Sequence, residues 1–245
     1  MNLVEPAEIL RPLATGRYVI WCDHASNHIP AELHDLGLPQ SELQRHIAWD
    51  LGAVGVTRAL SELLNAPAIL CNTSRLVIDC NRQLHARDLI PEISDGTLIP
   101  GNRTLTPLVK SARIDRWFHP YHDAIESVLR QRESAGTGVE TIAISIHSMT
   151  PCLTAAGSPP RPWQIALSSY LDRRLTDPVL AALRRPGDVI VGDNEPYDLD
   201  PAVDYSTPFH ALSRGLRHLQ VEFRQDELPD AAAQRRWAER FAQAL

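Results

Sequence analysis

The sequence has no long apolar run, little cysteine and no excess of positive charge, and each shortage closes off a class of function. No stretch approaches the ~20 apolar residues that a membrane-spanning helix needs, so no membrane partner is expected. Residues 1–20 hold acids and prolines rather than a basic segment followed by an apolar one, so no secretory leader is read and the cytoplasm is the expected compartment. The four cysteines (Cys22, Cys71, Cys80, Cys152) form no CxxC pair, which argues against a disulfide framework and against a cysteine zinc site. Cys22, Cys71 and Cys80 lie in or beside apolar runs, where a reduced thiol behaves as a small hydrophobe. With a formal charge of −6 and both signs interspersed, no basic face is available to neutralise phosphates, so nucleic acid is not expected as a partner. A small anionic ligand remains compatible, because local arginines can reverse a weak global field.

What is present is ordinary globular material: 245 residues, 44% hydrophobic and 22% charged, read as a single α/β domain over residues 1–245. Short apolar, β-branched runs predict strands at Arg17–Asp23, Pro67–Asn72, Thr141–His147, Trp163–Ser168, Asp188–Gly192 and Leu219–Arg224. Amphipathic stretches between them predict one or two helices over Gln40–Leu64, a helix over Pro107–Glu133 restarted or kinked at Pro120, and helices over Asp177–Arg184 and Ala231–Leu245. The alternation implies a mixed, mostly parallel central sheet flanked by helices. Three segments lack either period: Ala86–Arg103, Thr150–Pro162 and Gly192–Ser213. Two of them directly follow strands that end in polar residues, where open α/β sheets place their ligands, and they are expected to wall the active site.

Three places carry candidate chemistry. YVIWCDHASNHIP and TIAISIHSMTP each bring an apolar run up to a histidine, His24 and His147, before breaking at proline. Neutral imidazole at a rigid strand end can bind a metal, or can simply cap the strand through hydrogen bonds. SRLVIDCNR sets Arg75, Asp79, Asn81 and Arg82 among Leu76, Val77 and Ile78. Read as extended strand, Arg75, Val77, Asp79 and Asn81 share a face. Its guanidinium forks could grip a carboxylate, or an Arg–Asp pair could tie a loop to the sheet. In LQVEFRQD, Glu222 interrupts an apolar strand, either paired with a neighbour such as Arg224 or held beside a metal as a base.

Taken together, DHASNHIP, HIAWD, SRLVIDCNR, IPGN, FHPYHDAI, SIHSMTP, GDNEPYD and VEFRQDEL resemble, in order, the motif series of the N-formylglutamate amidohydrolase family, from about Val19 to Leu228. More distantly the order is similar to zinc carboxypeptidases and aspartoacylase, which implies a phosphorylase/hydrolase-like α/β fold. The resemblance implies one zinc ion bound by His24 and His147, and Glu222 as the base that activates water. It implies Arg75 as the polariser of the scissile carbonyl, and Asn81 and Arg82 as anchors of the substrate's carboxylate. The wider pattern HxxE would put glutamate at position 27, where this chain has Asn27. A neutral amide is a poorer zinc donor than a carboxylate. Asp50, a lone acid in the apolar, helix-like HIAWDLGA, is the preferred third ligand, with Asn27 the alternative. Asp23 could accept a hydrogen bond from a ligand histidine.

GDNEPYD offers Asn194, Glu195 and Tyr197 to a pocket, of which Asn194 and Tyr197 are taken as substrate contacts, although a capped turn explains the motif as well. His122 reads as a packed or capping residue, and nothing singles out His210 or His218. The activity implied is hydrolysis of a linear amide in a small anionic N-acyl amino acid such as N-formylglutamate. The alternatives are a deacylase or carboxypeptidase-like enzyme acting on another N-acyl amino acid or short peptide, and a non-catalytic metal- or amino-acid-binding relative.

Overall fold

Burial at every position of β2 (Tyr18–Cys22), β3 (Ala68–Cys71) and β6 (Ile142–Met149) leaves these strands no wet face, so both sides must be covered. The computed structural model describes residues 4–136, 138–154 and 158–245. Its main sheet has the order β1-β3-β2-β6-β9-β7-β8, with β1 at Ala7–Leu10, β7 at Ile165–Ser168, β8 at Val191–Asp193 and β9 at Arg217–Arg224. β3, β2, β6 and β9 run parallel. β1 is antiparallel to β3, and β7 is antiparallel to β9 and parallel to β8. This is the mixed, mostly parallel α/β sheet expected. The edge strand β1 and a small hairpin, β4 (Ile93–Ser94) with β5 (Thr97–Leu98), are too short to show a period. The hairpin turns at Asp95–Gly96, both with positive φ, as a tight two-residue loop requires.

Side-chain alternation splits the core in two. Ile20, Cys22, Ile144, Ile146, Val221 and Phe223 face α2 (Ala53–Leu63), α5 (Thr176–Arg184) and α7 (Ala231–Ala244). Val19, Trp21, Ile69 and Ala143 face α4 (His119–Ala135) and the Leu76–Ile78 run. Each fully buried side chain of this size contributes roughly 1.5–3 kcal/mol, so the carboxyl ends of the central strands rest on a stiff base.

The stretch Gln40–Leu64 resolves into α1 (Gln40–Leu43) and α2, with turns between them. Asp50 therefore sits in a turn and not in a helix. Its N–H donates to the His24 carbonyl at 2.9 Å, and its own carbonyl accepts from Ala53 at the start of α2. Gly52 makes the turn with φ 81°, where a Cβ would lie 2.5 Å from the Leu228 Cβ. Pro107–Glu133 becomes α3 (Pro107–Arg113), a π-helical turn over Ile114–Phe118, and α4 with Pro120 in its first turn. A short helix, α6 (Ser206–His210), lies within the third irregular segment.

One expectation fails. Ser74–Arg82 is not an extended strand but a run of turns. Ser74 Oγ accepts from the Leu76 N–H at 3.2 Å and Asp79 Oδ1 from the Asn81 N–H at 2.9 Å. These local side-chain bonds compete with a sheet ladder and win. Buried Arg113 then pins the run, donating to the Val77 carbonyl at 2.9 Å and to Asn102 Oδ1 at 2.8 Å.

Behind the sheet, His122 and His210 form a buried pair. His122 Nε2 lies 3.0 Å from the Cys80 carbonyl, so it carries the hydrogen, and Nδ1 accepts from His210 Nε2 at 3.0 Å. Burial pushes His122 down to about 3 and His210 to about 4, despite Glu126 at 3.7 Å from His210. Both are neutral in the fold and protonate when unfolded below pH ~6.5. Their contribution is therefore intact above that pH and is lost as pH falls towards 4 and 3, by up to about 1.4 kcal/mol per pH unit for each. Urea unfolding of the chelated protein at pH 7 and 5 should show this loss, and His210→Gln should reduce it. An unchanged pH slope in that variant would show that His210 is not responsible.

Candidate active site

Parallel register puts the chemistry together. β6 and β9 pair His147 with Glu222, and the alternation that sends Ile146 and Val221 into one core sends His147 and Glu222 to the other side. His147 lies two residues inside β6, not at its end, because β6 and β9 stay paired as far as Met149 and Arg224. His24 follows β2 by two residues. The Asp50 turn is tied to His24 through the backbone bond already described. All four residues lie at the carboxyl ends of parallel strands or in the adjoining turn, the usual ligand side of such a sheet.

His24 Nδ1 lies 3.4 Å and His147 Nδ1 3.0 Å from the same oxygen, Asp50 Oδ2. The opposite nitrogens are also engaged: His24 Nε2 is 2.7 Å from Asp79 Oδ1, and His147 Nε2 is 3.2 Å from Asp23 Oδ2. With His24 Nε2–H given to Asp79, and His147 Nε2–H to Asp23 and the Ser145 hydroxyl beside it at 3.0 Å, the Nδ1 lone pairs and the Asp50 oxygen face one another, and three acceptors require a cation or protons between them. His24, Asp50 and His147 each offer a donor atom, all within 4.8 Å of one another, and all three are buried. This set fits a divalent metal, and imidazoles backed by carboxylates are the common arrangement around such an ion.

Electrostatics supports the fit. Burial alone would raise the Asp23, Asp50 and Asp79 carboxyls, yet all three are lowered, Asp23 to about 2. Hydrogen bonds from His147 and Ser206 hold Asp23 down, and the nearby histidines do the same for Asp50. Arg75 holds down Asp79 most strongly, through Nε at 3.1 Å and Nη2 at 2.7 Å. Burial would lower His147, but Asp23 and Asp50 raise it well above its ordinary value. Among the described residues Glu222 has no such donor, and burial pushes it up to about 7.

Asp79 and Asp23 fix ring orientation and tautomer, so Asp79→Asn is expected to weaken metal affinity about 10- to 100-fold. Titration with a metal indicator checks this, and unchanged affinity would mean that Asp79 serves only its pair with Arg75. The Arg–Asp pair expected from the sequence is therefore present, and the same carboxylate also orients a histidine, a role the sequence reading did not give it.

The three side chains form the floor of a cleft of about 250 Å³, lined also by Arg75, Asn81, Arg82, Tyr197 and Glu222. The volume accommodates an amino-acid-sized group. Asn81 holds two loops together: Oδ1 accepts from the Tyr205 and Ser206 N–H groups at 3.1 Å, and Nδ2 donates to Asp204. Arg82 pairs with Asp88 at 2.8 Å and lies 3.6 Å from Asp204.

Two candidates fall elsewhere. Asn27 spends its amide N–H on the Leu43 carbonyl at 2.8 Å and does not line the cleft. Asn194, at φ 55°, caps the Ser169 N–H with its side-chain oxygen at 2.8 Å and does not line the cleft. It is the capped turn that was the alternative reading. Of the irregular segments, Thr150–Pro162 and Gly192–Ser213 supply cleft walls through Thr150, Leu153, Arg161, Asp198 and Asp204. Ala86–Arg103 does not reach the cleft, but Asp95 lies 3.3 Å from the lining His46. Arg161, Asp204 and Gln220 escaped the sequence reading. Only Gln220 left a usable signal, two residues before Glu222 on the same strand face.

Among the described residues, no helix is long and apolar enough to cross a membrane. The chain superposes on the crystal structure of an Agrobacterium tumefaciens gene product with a TM-score of 0.91 and 31% identity, covering 98% of this chain and 95% of that one. It also matches the crystal structure of N-formylglutamate amidohydrolase from Ralstonia eutropha, with a TM-score of 0.77, 19% identity and coverage of 98% and 96%. No functionally curated protein matches it. The family model for N-formylglutamate amidohydrolase matches residues 16–228. The chain thus belongs to the N-formylglutamate amidohydrolase family, a family of amidohydrolases.

Proposed function

We propose that this protein hydrolyses the amide of a small N-acyl amino acid, N-formyl substrates first among them, with one zinc ion held by His24, Asp50 and His147. The observation that carries the reading is the meeting of two Nδ1 lone pairs and a carboxylate at the foot of the cleft, with Glu222 next to His147 in the strand register. Two imidazoles and one carboxylate, with room left for water or substrate, match the donor pattern of catalytic zinc. Zinc in such a set supplies Lewis-acid activation of water and carbonyl.

The remaining steps belong to the chain. Glu222 takes the proton from the attacking water and passes it to the departing nitrogen, a role that suits a carboxyl raised towards neutrality. Arg75 keeps its charge, raised above its ordinary value by Asp79 and Asp50 although burial opposes this. Its guanidinium is held by both carboxylates and is a quarter exposed, so it can stabilise negative charge developing on the carbonyl oxygen. The non-catalytic alternative rested on Asn27 in place of an acid. Asp50 beside the two histidines supplies an acid there and supports the catalytic reading.

Zinc-loaded protein is expected to turn over at least one substrate in a panel of N-formyl amino acids, N-acetyl amino acids and dipeptides, and to lose that activity on chelation. Stoichiometric zinc with no turnover across the panel would end the hydrolytic reading, and undiminished turnover after chelation would end the metal.

A further inference from the structure

Counting guanidinium partners around the cleft singles out Arg161. Arg75 is paired with Asp79 and Asp50, and Arg82 with Asp88 and Asp204. Arg161 is 9% exposed and lines the cleft, yet holds no carboxylate among the described residues. Its Nη1 donates to the Thr150 carbonyl at 3.2 Å, its Nη2 to the Tyr197 hydroxyl at 2.6 Å, and its guanidinium lies over the Tyr197 ring at 4.9 Å from the centroid. These contacts are neutral. They fix the fork and leave its charge uncompensated, which is costly for a buried ion unless an anion arrives.

The fork is also fixed relative to the chemistry. Arg224, at the end of the strand that carries Glu222, donates to the Arg161 carbonyl at 3.0 Å and to the Pro162 carbonyl at 3.1 Å. Asp198, Asp200 and Asp204 line the same cleft, as do Arg75 and Arg82, but those two guanidiniums already have carboxylate partners. A carboxylate entering the cleft has the Arg161 guanidinium to meet.

We infer that Arg161 is the carboxylate-binding residue of this cleft, the group that grips the α-carboxylate of an N-acyl amino acid. This rests on the proposed amide hydrolysis and transfers the anchoring role from Asn81 and Arg82, whose polar groups already serve the loops. A planar fork gripping a carboxylate is worth a charged hydrogen bond or more.

The test compares the zinc-loaded wild type with Arg161→Gln and Arg161→Lys on N-formylglutamine and on its α-carboxamide. Arg161→Gln should raise KM for N-formylglutamine about 10- to 100-fold with a much smaller change in kcat. It should also abolish the wild-type preference for the carboxylate over the carboxamide, and Arg161→Lys should restore part of it. The inference is overturned if Arg161→Gln discriminates carboxylate from carboxamide as well as wild type does.

Binding measured in Glu222→Gln separates the two levels. Arg161-dependent carboxylate binding without wild-type turnover would sink the hydrolysis and spare the anchor. Turnover indifferent to Arg161 would do the reverse.

Discussion

Asp50→Asn is expected to lower zinc affinity by more than about 100-fold, the upper end of what partners one step removed from a metal cost. Hydrolytic activity should fall below detection at stoichiometric metal. The expectation follows from position. Asp50 Oδ2 is the one oxygen that both Nδ1 atoms face, and it accepts from the Ser148 N–H at 3.1 Å as well. Asparagine keeps the shape and one acceptor but removes the charge that balances a divalent ion. Thermal unfolding supplies a readout independent of turnover. A ligand at 1,000 times its Kd stabilises the native state by about 4 kcal/mol, so zinc should raise the wild-type Tm by several degrees. In Asp50→Asn at the same zinc concentration most of that shift should vanish. If the full zinc-induced shift survives, Asp50 is not a ligand, and the acceptor cluster must be explained by protons shared between the histidines and their carboxylates.

How far the site could be read in advance depended on what kind of backbone carried each residue. His147 and Glu222 lie on strands whose apolar period is unmistakable, and a polar residue inside such a run is visible as an interruption. His24 was visible in the same way, at the exit of β2. Asp50 was found for a partly mistaken reason: it stands out as a lone acid among apolar neighbours, but the neighbourhood is a turn set by Gly52, not a helix. The Ser74–Arg82 run shows the opposite failure. Leu76, Val77 and Ile78 are buried as a strand's would be, and only the side-chain bonds of Ser74 and Asp79 to nearby N–H groups bend the chain into turns. Periodicity records burial and is blind to such bonds. Arg161 and Asp204 were beyond reach because their segments have no period at all. Their importance comes from partners distant in sequence, Tyr197 for one and Asn81 for the other.

Glu222→Gln should cost 10²- to 10⁴-fold in kcat, the usual range for a lost general base, while zinc content and KM stay close to wild type. The change is isosteric, and Glu222 is not in the donor set, so metal binding tests whether the variant is intact. The wild-type pH profile should fall on the acid side at about pH 7 or lower, since burial holds the metal-free carboxyl up at about 7 and a nearby cation favours ionisation. The same burial makes a second, opposite prediction for stability. A carboxyl whose folded value lies above its unfolded one contributes stability that is complete below pH ~4.5 and is lost as pH rises through about 7. Glutamine carries no such loss, so metal-free Glu222→Gln should be more stable than wild type at pH 8, by an amount on the order of 3 kcal/mol, and should lose most of that advantage at pH 5. A variant that is inactive yet more robust at alkaline pH is what a strained base, kept for chemistry against the interest of the fold, predicts. A variant equally stable at both pH values and nearly as active as wild type would mean that Glu222 is a buried structural acid, and the proton would have to be moved by another group in the cleft.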